Sequence, residues 1–389
     1  MKALKEILAP YPVDQFLSQD WTQQAVYIPD ERGQKFQSLF TWKDLNNLLN
    51  FHRLEDPNLR FSLDGKSLPG CDRTIWHDRI QEGATLIINE IDEVVPAVSA
   101  MTTALRIETG HQAQVNLYCS PAQQQGFDNH YDTHDVLILQ IDGEKDWFVF
   151  RDTVPAPLTF TPDQLPPEAP PYLECTLKPG DVLYIPRGHW HYAIAGDRPS
   201  LHLTLGIHCQ TGIDWLLWVV GELQNQPTWR QNLPFVNHGQ TQGQTQALEQ
   251  ALANLSQHLH DCLQEPDLRQ RYQAHLTHQV QPIAPFSLPA QLGIEIFHQG
   301  LETRFVRPPF LQMQLTQLGE QHHQIAIGTK QITLKGLPDL LLPKLLEPEG
   351  FSILEMADWA PDLDLEADVV PLLTRLVTEG VLLVDEAAV

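Results

Sequence analysis

Asn129-His130-Tyr131-Asp132, read together with Pro186-Arg187-Gly188-His189-Trp190-His191, is the pair of stretches on which the fold of this chain turns. The first holds a His-x-Asp pair in what reads as a strand, where residues i and i+2 share a face and can grip one ion. The second follows Gly180-Asp181-Val182-Leu183-Tyr184-Ile185, an apolar strand closed by proline and glycine. Two histidines and one carboxylate form the facial triad that binds divalent iron and leaves three coordination positions open. The third ligand has to come from a strand distant in sequence, which points to a double-stranded β-helix. A lone His-x-Asp is weak, because a chain with 17 histidines holds roughly one by chance. Its weight comes from Gly126 before it, the apolar run Val136 to Ile141 after it, and the histidine pair downstream. Either His189 or His191 can be the third ligand. The competing reading is a plain ion pair between His130 and Asp132 at a strand end.

Composition describes a globular protein. The 389 residues allow two or three domains, and 42% of them are hydrophobic. No apolar run reaches the ~18 residues of a membrane span, and Met1-Lys2-Ala3-Leu4-Lys5-Glu6 lacks a signal-peptide core. The five cysteines, Cys71, Cys119, Cys175, Cys209 and Cys262, are scattered and form no CxxC pair. That fits reduced thiols in a cytoplasm better than a disulfide framework or a zinc site. The formal charge of −24 argues against binding a phosphate backbone, which needs clustered Lys and Arg. Such acidity commonly serves solubility, and at low salt it attracts basic partners.

Three textures divide the chain. Residues 1–212 begin with an α/β lead-in. Asp14 to Leu17 and Trp42 to Leu49 have helical spacing, with Thr41 as the cap of the second, and Ala84 to Asn89 reads as a strand before a helix from Val95 to Arg106. Short strands then follow: Val115 to Cys119, Val136 to Ile141, Trp147 to Phe150, Tyr172 to Leu177, Asp181 to Ile185 and Leu201 to Ile207. Asp142-Gly143 between two apolar runs predicts a hairpin, and the proline-rich stretch 153–171 a surface loop.

Residues 213–304 read as helical. Trp215 to Val220 opens the region, the glutamines of 239–250 look like a solvated loop, and Leu248, Leu252, Leu255 and Leu259 recur at helical spacing, most simply as a face packed within the chain. Residues 305–389 hold a β-run at Gln324 to Ile327, helical patterns at 337–347, 352–359 and 367–379, then a turn at Gly380 and a strand, the outline of a winged helix. From Leu337 onward Lys344 and Arg375 face twelve acidic residues, the wrong footprint for DNA.

Other residues compete for roles in the site. His134 lies on the His130 face but further along, and His202 and His208 read as core histidines donating to backbone carbonyls. Lys145 starts an apolar strand whose same-face neighbours are Trp147 and Val149. A lysine buried there needs a counter-charge, which a dicarboxylate chelating iron through its other end would provide.

Taken together, Asn116-Leu117-Tyr118, His130-Tyr131-Asp132, Val136 to Gln140, Asp142 to Trp147 and Gly180 to His191 resemble the ribosomal oxygenases, JmjC-type 2-oxoglutarate hydroxylases. The resemblance covers roughly residues 84–207. It implies a cupin-like JmjC jelly roll followed by a helical dimerisation region and a C-terminal winged-helix domain. It also implies His130, Asp132 and His191 as Fe(II) ligands, Lys145 at the distal carboxylate of 2-oxoglutarate, and Asn116, Tyr118 and Thr204 around that cosubstrate. The expected activity is hydroxylation of a protein side chain, as on a ribosomal protein, by a cytoplasmic homodimer formed through residues 213–300, with no DNA or membrane partner. The family's histidyl hydroxylases carry a serine where Gly206 stands, which leaves the target side chain open. The alternatives are a 2-oxoglutarate oxygenase of small molecules or natural-product peptides, a metal cupin of another class, and a non-catalytic scaffold.

Overall fold

The computed structural model describes residues 2–385 apart from 55, 71, 162–164, 236–241, 281–284, 309–310, 312, 329 and 348. It separates into two units, Met1–Val280 and Gln281–Val389. In the first, β1 (Val26–Ile28), β2 (Leu59–Leu63), β3 (Lys66–Pro69), β4 (Thr85–Ile88), β5 (Gln112–Ser120), β6 (Asp135–Asp142), β7 (Lys145–Thr153), β8 (Leu173–Leu177), β9 (Val182–Ile185), β10 (His189–Ala195) and β11 (Ser200–His208) follow one another along the chain. Eight of them form one sheet in the order β1-β9-β6-β11-β5-β4-β2-β3, and β10-β7-β8 form a second. From β6 onward the chain passes repeatedly between the sheets, with β7 and β8 successive strands of the second, the winding of a jelly roll.

Side-chain alternation assigns the faces. Ala113, Val115 and Leu117 of β5 join Leu137, Leu139, Leu203 and Leu205 in a core with the lead-in helices. Val136, Ile138, Leu183 and Ile185 meet Trp147, Val149 and Leu177 in a second core. β6 and β9 are central and covered on both sides, so they read as continuous apolar runs. Each fully buried leucine there contributes about 1.5–3 kcal/mol. The lead-in helices Trp42–Phe51 and Pro96–Thr109 stand where periodicity predicts them, the first capped by Thr41, the second opened by proline and ended by Gly110 at φ 71.

One turn reading needs correction. β6 and β7 are not hairpin partners: β6 pairs with β9 and β11, and β7 with β8 and β10. The Asp142-Gly143 turn is instead a corner that carries the chain from one sheet to the other. Gly143 sits there at φ 69, where an added Cβ would run into the Pro199 carbonyl. The Asp-Gly hairpin of this fold is the unpredicted one at Asp64-Gly65 (φ 50 and 73), joining β2 to β3. Helices Gly212–Gln224, Gln242–Leu263 and Leu268–Gln279 complete the unit. Most of the glutamine patch is therefore the start of a helix rather than a loop, and residues 239–241 lie outside the described ones. Within the leucine stripe only Leu259 joins the small cluster around Val219, Leu223 and Cys262, while Leu252 is exposed.

The second unit is built around Phe305, Leu342, Phe351, Met356, Leu373 and Leu376. β16 (Phe351–Ser352), β12 (Arg304–Val306) and β17 (Leu383–Val384) form one small sheet, and β13 (Gln314–Gly319), β14 (His322–Ile327) and β15 (Lys330–Lys335) a meander. The three helical patterns appear as Leu341–Leu345, Ile353–Trp359 and the run from Leu365 to Thr378. Ser352 and Glu355 make a capping box, and Gly380 turns at φ 75 into β17.

The corner between the sheets is open to test. Gly143→Ala should cost about 1 kcal/mol or more through its positive φ alone, a fall of roughly 2–4 °C in the unfolding midpoint. An unchanged midpoint would show that the corner tolerates a side chain.

Candidate metal centre

The two histidine stretches meet through the backbone. His130 N–H donates to the His191 carbonyl at 3.1 Å, and His191 N–H returns a bond to His130 at 2.7 Å. Gly188 N–H donates to the Asp132 carbonyl at 2.8 Å. Gly188 adopts φ 80 and lies so close to the Val154 carbonyl that a Cβ would not fit. His130 and Asp132 thus stand in a bridged loop ahead of β6 and not, as the spacing suggests, within a strand; His191 is in β10, a strand missing from those the sequence pattern predicts.

His130, Asp132 and His191 offer one ligand atom each, all within 4.8 Å of one another. His191 Nε2 stands 3.7 Å from Asp132 Oδ2. Both imidazoles are oriented from behind. Nδ1–H of His130 donates to the Asp128 carbonyl at 2.8 Å, and that of His191 to the His189 carbonyl at 2.9 Å. This tautomer leaves each Nε2 lone pair facing the gap, the arrangement of metal-ligating histidines. Burial, then the charge of His130, pushes His191 down to about 4, so its ring is neutral at pH 7. Burial raises the Asp132 carboxyl, but the His191 and His130 imidazoles oppose it and hold the group below its ordinary value. Neutral nitrogens and one ionised carboxylate are the donor set that Fe(II) prefers.

His189 is separated from this set. A register shift in β10 between His189 and His191 turns it away, and its Nδ1 lies 3.3 Å from the Tyr172 hydroxyl. The geometry therefore brings His191, and not His189, together with His130 and Asp132. His134 stacks on His208, ring centroids 4.5 Å apart, beside the triad.

One cavity joins the triad to Lys145, Tyr118, Thr204, Trp147 and His202. Lys145 is 3% exposed. Its ammonium donates to Ser120 Oγ at 3.0 Å, which also accepts from Thr85 Oγ1 at 3.0 Å, and it forms no ion pair among the described residues. Burial lowers it to about 8. Asn116 pairs with Thr204 across the strands but is not among the residues lining the cavity, and its Oδ1 accepts from Glu90 N–H. Burial, and next the Asp132 charge, raises Tyr118 to about 12.

His202, read from sequence as a core histidine donating to a carbonyl, lines this cavity and its Nδ1 has no partner. Its ring lies parallel to Tyr118 at 5.0 Å and edge-on to Trp147 at 5.7 Å. Burial first, then the Lys145 charge, keeps it neutral by driving its pKa well below the usual imidazole value. Ser120 and His202 were the omissions. The period of two that groups Asn116 with Tyr118, and Thr204 with its neighbours, reaches both when extended by one step.

Metal titration checks the ligand set without any turnover. His130→Ala, Asp132→Ala and His191→Ala should each weaken Co(II) or Fe(II) binding by at least ~10-fold, whereas His189→Ala should bind as the parent does. Metal lost in His189→Ala and retained in His191→Ala would refute the assignment.

The JmjC domain family model matches residues 95–214. Human "Ribosomal oxygenase 1" is 30% identical over 249 residues, 59% of this chain and 38% of that protein. The "bifunctional lysine-specific demethylase and histidyl-hydroxylase NO66" of Drosophila willistoni is 28% identical over 229 residues, 54% of this chain and 29% of its own. The chain thus spans less than half the length of these curated relatives. In fold it is similar to the Escherichia coli ribosomal oxygenase YcfD, with TM-score 0.57 at 16% identity over 97% of this chain and 98% of that one. A structure of the same protein in complex with cobalt and 2-oxoglutarate aligns with TM-score 0.56 at 16% identity, over 97% and 99%. By sequence over more than half its residues and by fold over nearly all of them, the chain resembles the ribosomal oxygenases, with a JmjC domain at 95–214.

Proposed function

We propose that this protein is an Fe(II)- and 2-oxoglutarate-dependent oxygenase that hydroxylates a side chain of another protein, with a ribosomal protein as the target class. The observation that carries the reading is the single cavity holding both a three-ligand site and a buried, unpaired ammonium. A metal cupin of another class has use for the triad but none for Lys145. The names of the relatives and the cobalt and 2-oxoglutarate complex of the Escherichia coli protein support the same reading.

His130, Asp132 and His191 would hold the metal on one face and leave the opposite face open. Lys145 would bind the distal carboxylate of the cosubstrate, with Ser120 fixing the direction of its ammonium. Tyr118 and Thr204 line the same space, and Asn116 pairs with Thr204 on the neighbouring strand. Bound iron with 2-oxoglutarate and oxygen supplies the oxidation that converts C–H to C–OH while releasing succinate and carbon dioxide. The protein's part is to orient the target carbon and exclude water. A groove of ≈ 760 Å³ beside His130 and Asp132, lined also by Asp128, Asn129, Tyr131, His134, Phe160 and Trp190, offers room for a side chain on a peptide.

The three-part plan of 1–212, 213–304 and 305–389 belongs to this reading, and the full-length fold likeness supports it. Ile213, Leu216, Leu217 and Val220 form an i, i+3, i+4, i+7 stripe, 51%, 45%, 63% and 42% exposed. Such a stripe fits a twofold homodimer seam formed through residues 213–300. The helices and small sheet of the second unit fit a winged helix, acidic and without a DNA footprint. A cytoplasmic setting accords with the four described cysteines, all free; Cys71 lies outside the described residues. No helix among the described residues is long and apolar enough to cross a membrane.

With Fe(II), 2-oxoglutarate and a lysate of the native host, succinate should appear together with a protein gaining one oxygen atom by mass spectrometry. Oxygen found only in free small molecules would favour the small-molecule oxygenase instead. Lys145→Ala should raise the 2-oxoglutarate requirement ~10-fold or more and leave metal binding intact. The pH dependence follows from the lowered pKa. The carboxylate-binding ammonium is present below about 8 and lost above it, so kcat/KM for 2-oxoglutarate should fall as pH rises through 8. A flat profile from 7 to 9 would exclude Lys145 from cosubstrate binding.

Leu217→Glu places a charge in the exposed stripe and should convert a dimer to monomers in light scattering. A parent protein already monomeric at micromolar concentration would remove the dimer.

A further inference from the structure

A second cavity, of ≈ 490 Å³, lies in the first unit away from the metal ligands. Its wall is apolar, formed by Trp42, Leu45 and Leu49 of one helix, Ile80 of another, and Leu86 of β4. Its polar groups are few and of opposite sign: Arg198, Asp142 and the amide of Asn46. Neither Arg198 nor Asn46 makes a side-chain hydrogen bond or ion pair among the described residues. Asp142 spends Oδ2 on the Trp42 indole N–H at 2.5 Å and keeps Oδ1 for another donor. A roomy apolar cavity with a few orienting polar groups is the usual form of a small-molecule site.

We propose that this cavity binds a free apolar α-amino acid. The carboxylate of such a ligand faces Arg198, the ammonium faces Asp142 with Asn46 beside it, and the side chain enters the space between Trp42, Leu49, Ile80 and Leu86. A purely apolar guest leaves both charges unused. A simple anion meets Asp142 and a simple amine meets Arg198, so the zwitterion is the class that satisfies both. The site is independent of the metal reading and stands or falls separately.

Calorimetric titration of the full chain with L-phenylalanine, 3-phenylpropionate and phenethylamine tests this. L-phenylalanine should bind once per chain and more tightly than either analogue. Arg198→Gln should weaken L-phenylalanine about threefold to fivefold, the scale of an exposed ion pair, and leave phenethylamine unaffected. Asp142→Asn, which keeps an acceptor for Trp42, should weaken L-phenylalanine and spare 3-phenylpropionate. Asn46→Trp, an exposed position at the mouth, should abolish binding of all three, and Lys145→Ala should change none. Absence of binding, equal affinity for the three probes, or loss of binding in Lys145→Ala would overturn the proposal, the last by placing the probe in the metal cavity.

Discussion

The candidate metal site depends on one antiparallel bridge. Two reciprocal backbone hydrogen bonds between His130 and His191, with a third from Gly188 to Asp132, join a loop ahead of β6 to the start of β10. Each such bond contributes only about 0.5–1.5 kcal/mol net, but their geometry sets where three side chains point. Neighbouring carbonyls continue the work. Those of Asp128 and His189 take the Nδ1 protons and so leave both Nε2 atoms as donors. Gly188 is the residue that makes the bridge possible, since its neighbour across the turn, the Val154 carbonyl, leaves no room for a side chain. The arrangement ties coordination chemistry to main-chain pairing, where a change of side chain elsewhere has little purchase.

Lys145 poses the opposite problem, a charge placed where solvent does not reach. Removing an ammonium from water costs several kcal/mol unless something replaces the hydration. Here the support is one hydroxyl, that of Ser120, which accepts from both the lysine and Thr85, and no carboxylate among the described residues completes it. A pKa near 8 is the signature of that incomplete compensation. Around it the cavity keeps its other titratable rings neutral, His202 by burial and by the lysine itself, Tyr118 by burial and the Asp132 charge. The result is one positive point at Lys145 and one negative point at Asp132, separated by neutral rings, which favours one orientation of an anionic ligand over its reverse.

Much of this was legible in the chain, for identifiable reasons. β5 and β11 alternate strictly, so their cavity-facing residues could be grouped by parity. β6 and β9 are runs of apolar residues because both faces are covered. The misreadings share a cause as well. Asp142-Gly143 and Asp64-Gly65 present the same dipeptide with the same positive-φ glycine, yet one is a corner and the other a hairpin. Local turn chemistry specifies a reversal but not the partner, which is set by the sheet each flanking strand joins. β10 escaped notice because its pattern, His189-Trp190-His191-Tyr192, is polar-aromatic where a strand signal is aliphatic. His202 looked like a core residue because burial was right and only its unpartnered nitrogen distinguishes it.

Gly206 carries the argument about specificity further than its sequence position alone allows. A glycine in the middle of a paired strand is unfavourable, lacking a side chain to pack and losing more entropy than its neighbours. Here a Cβ at 206 would come within 2.7 Å of Cδ2 and 2.9 Å of Nε2 of His134. The glycine therefore exists to seat that imidazole, which in turn stacks on His208 and forms part of the groove that also touches His130 and Asp132. Positions 134 and 206 are coupled: a hydroxylated side chain at 206 and the present placement of His134 exclude each other. A serine at 206 would require the His134 ring to move, and with it this wall of the groove beside His130 and Asp132.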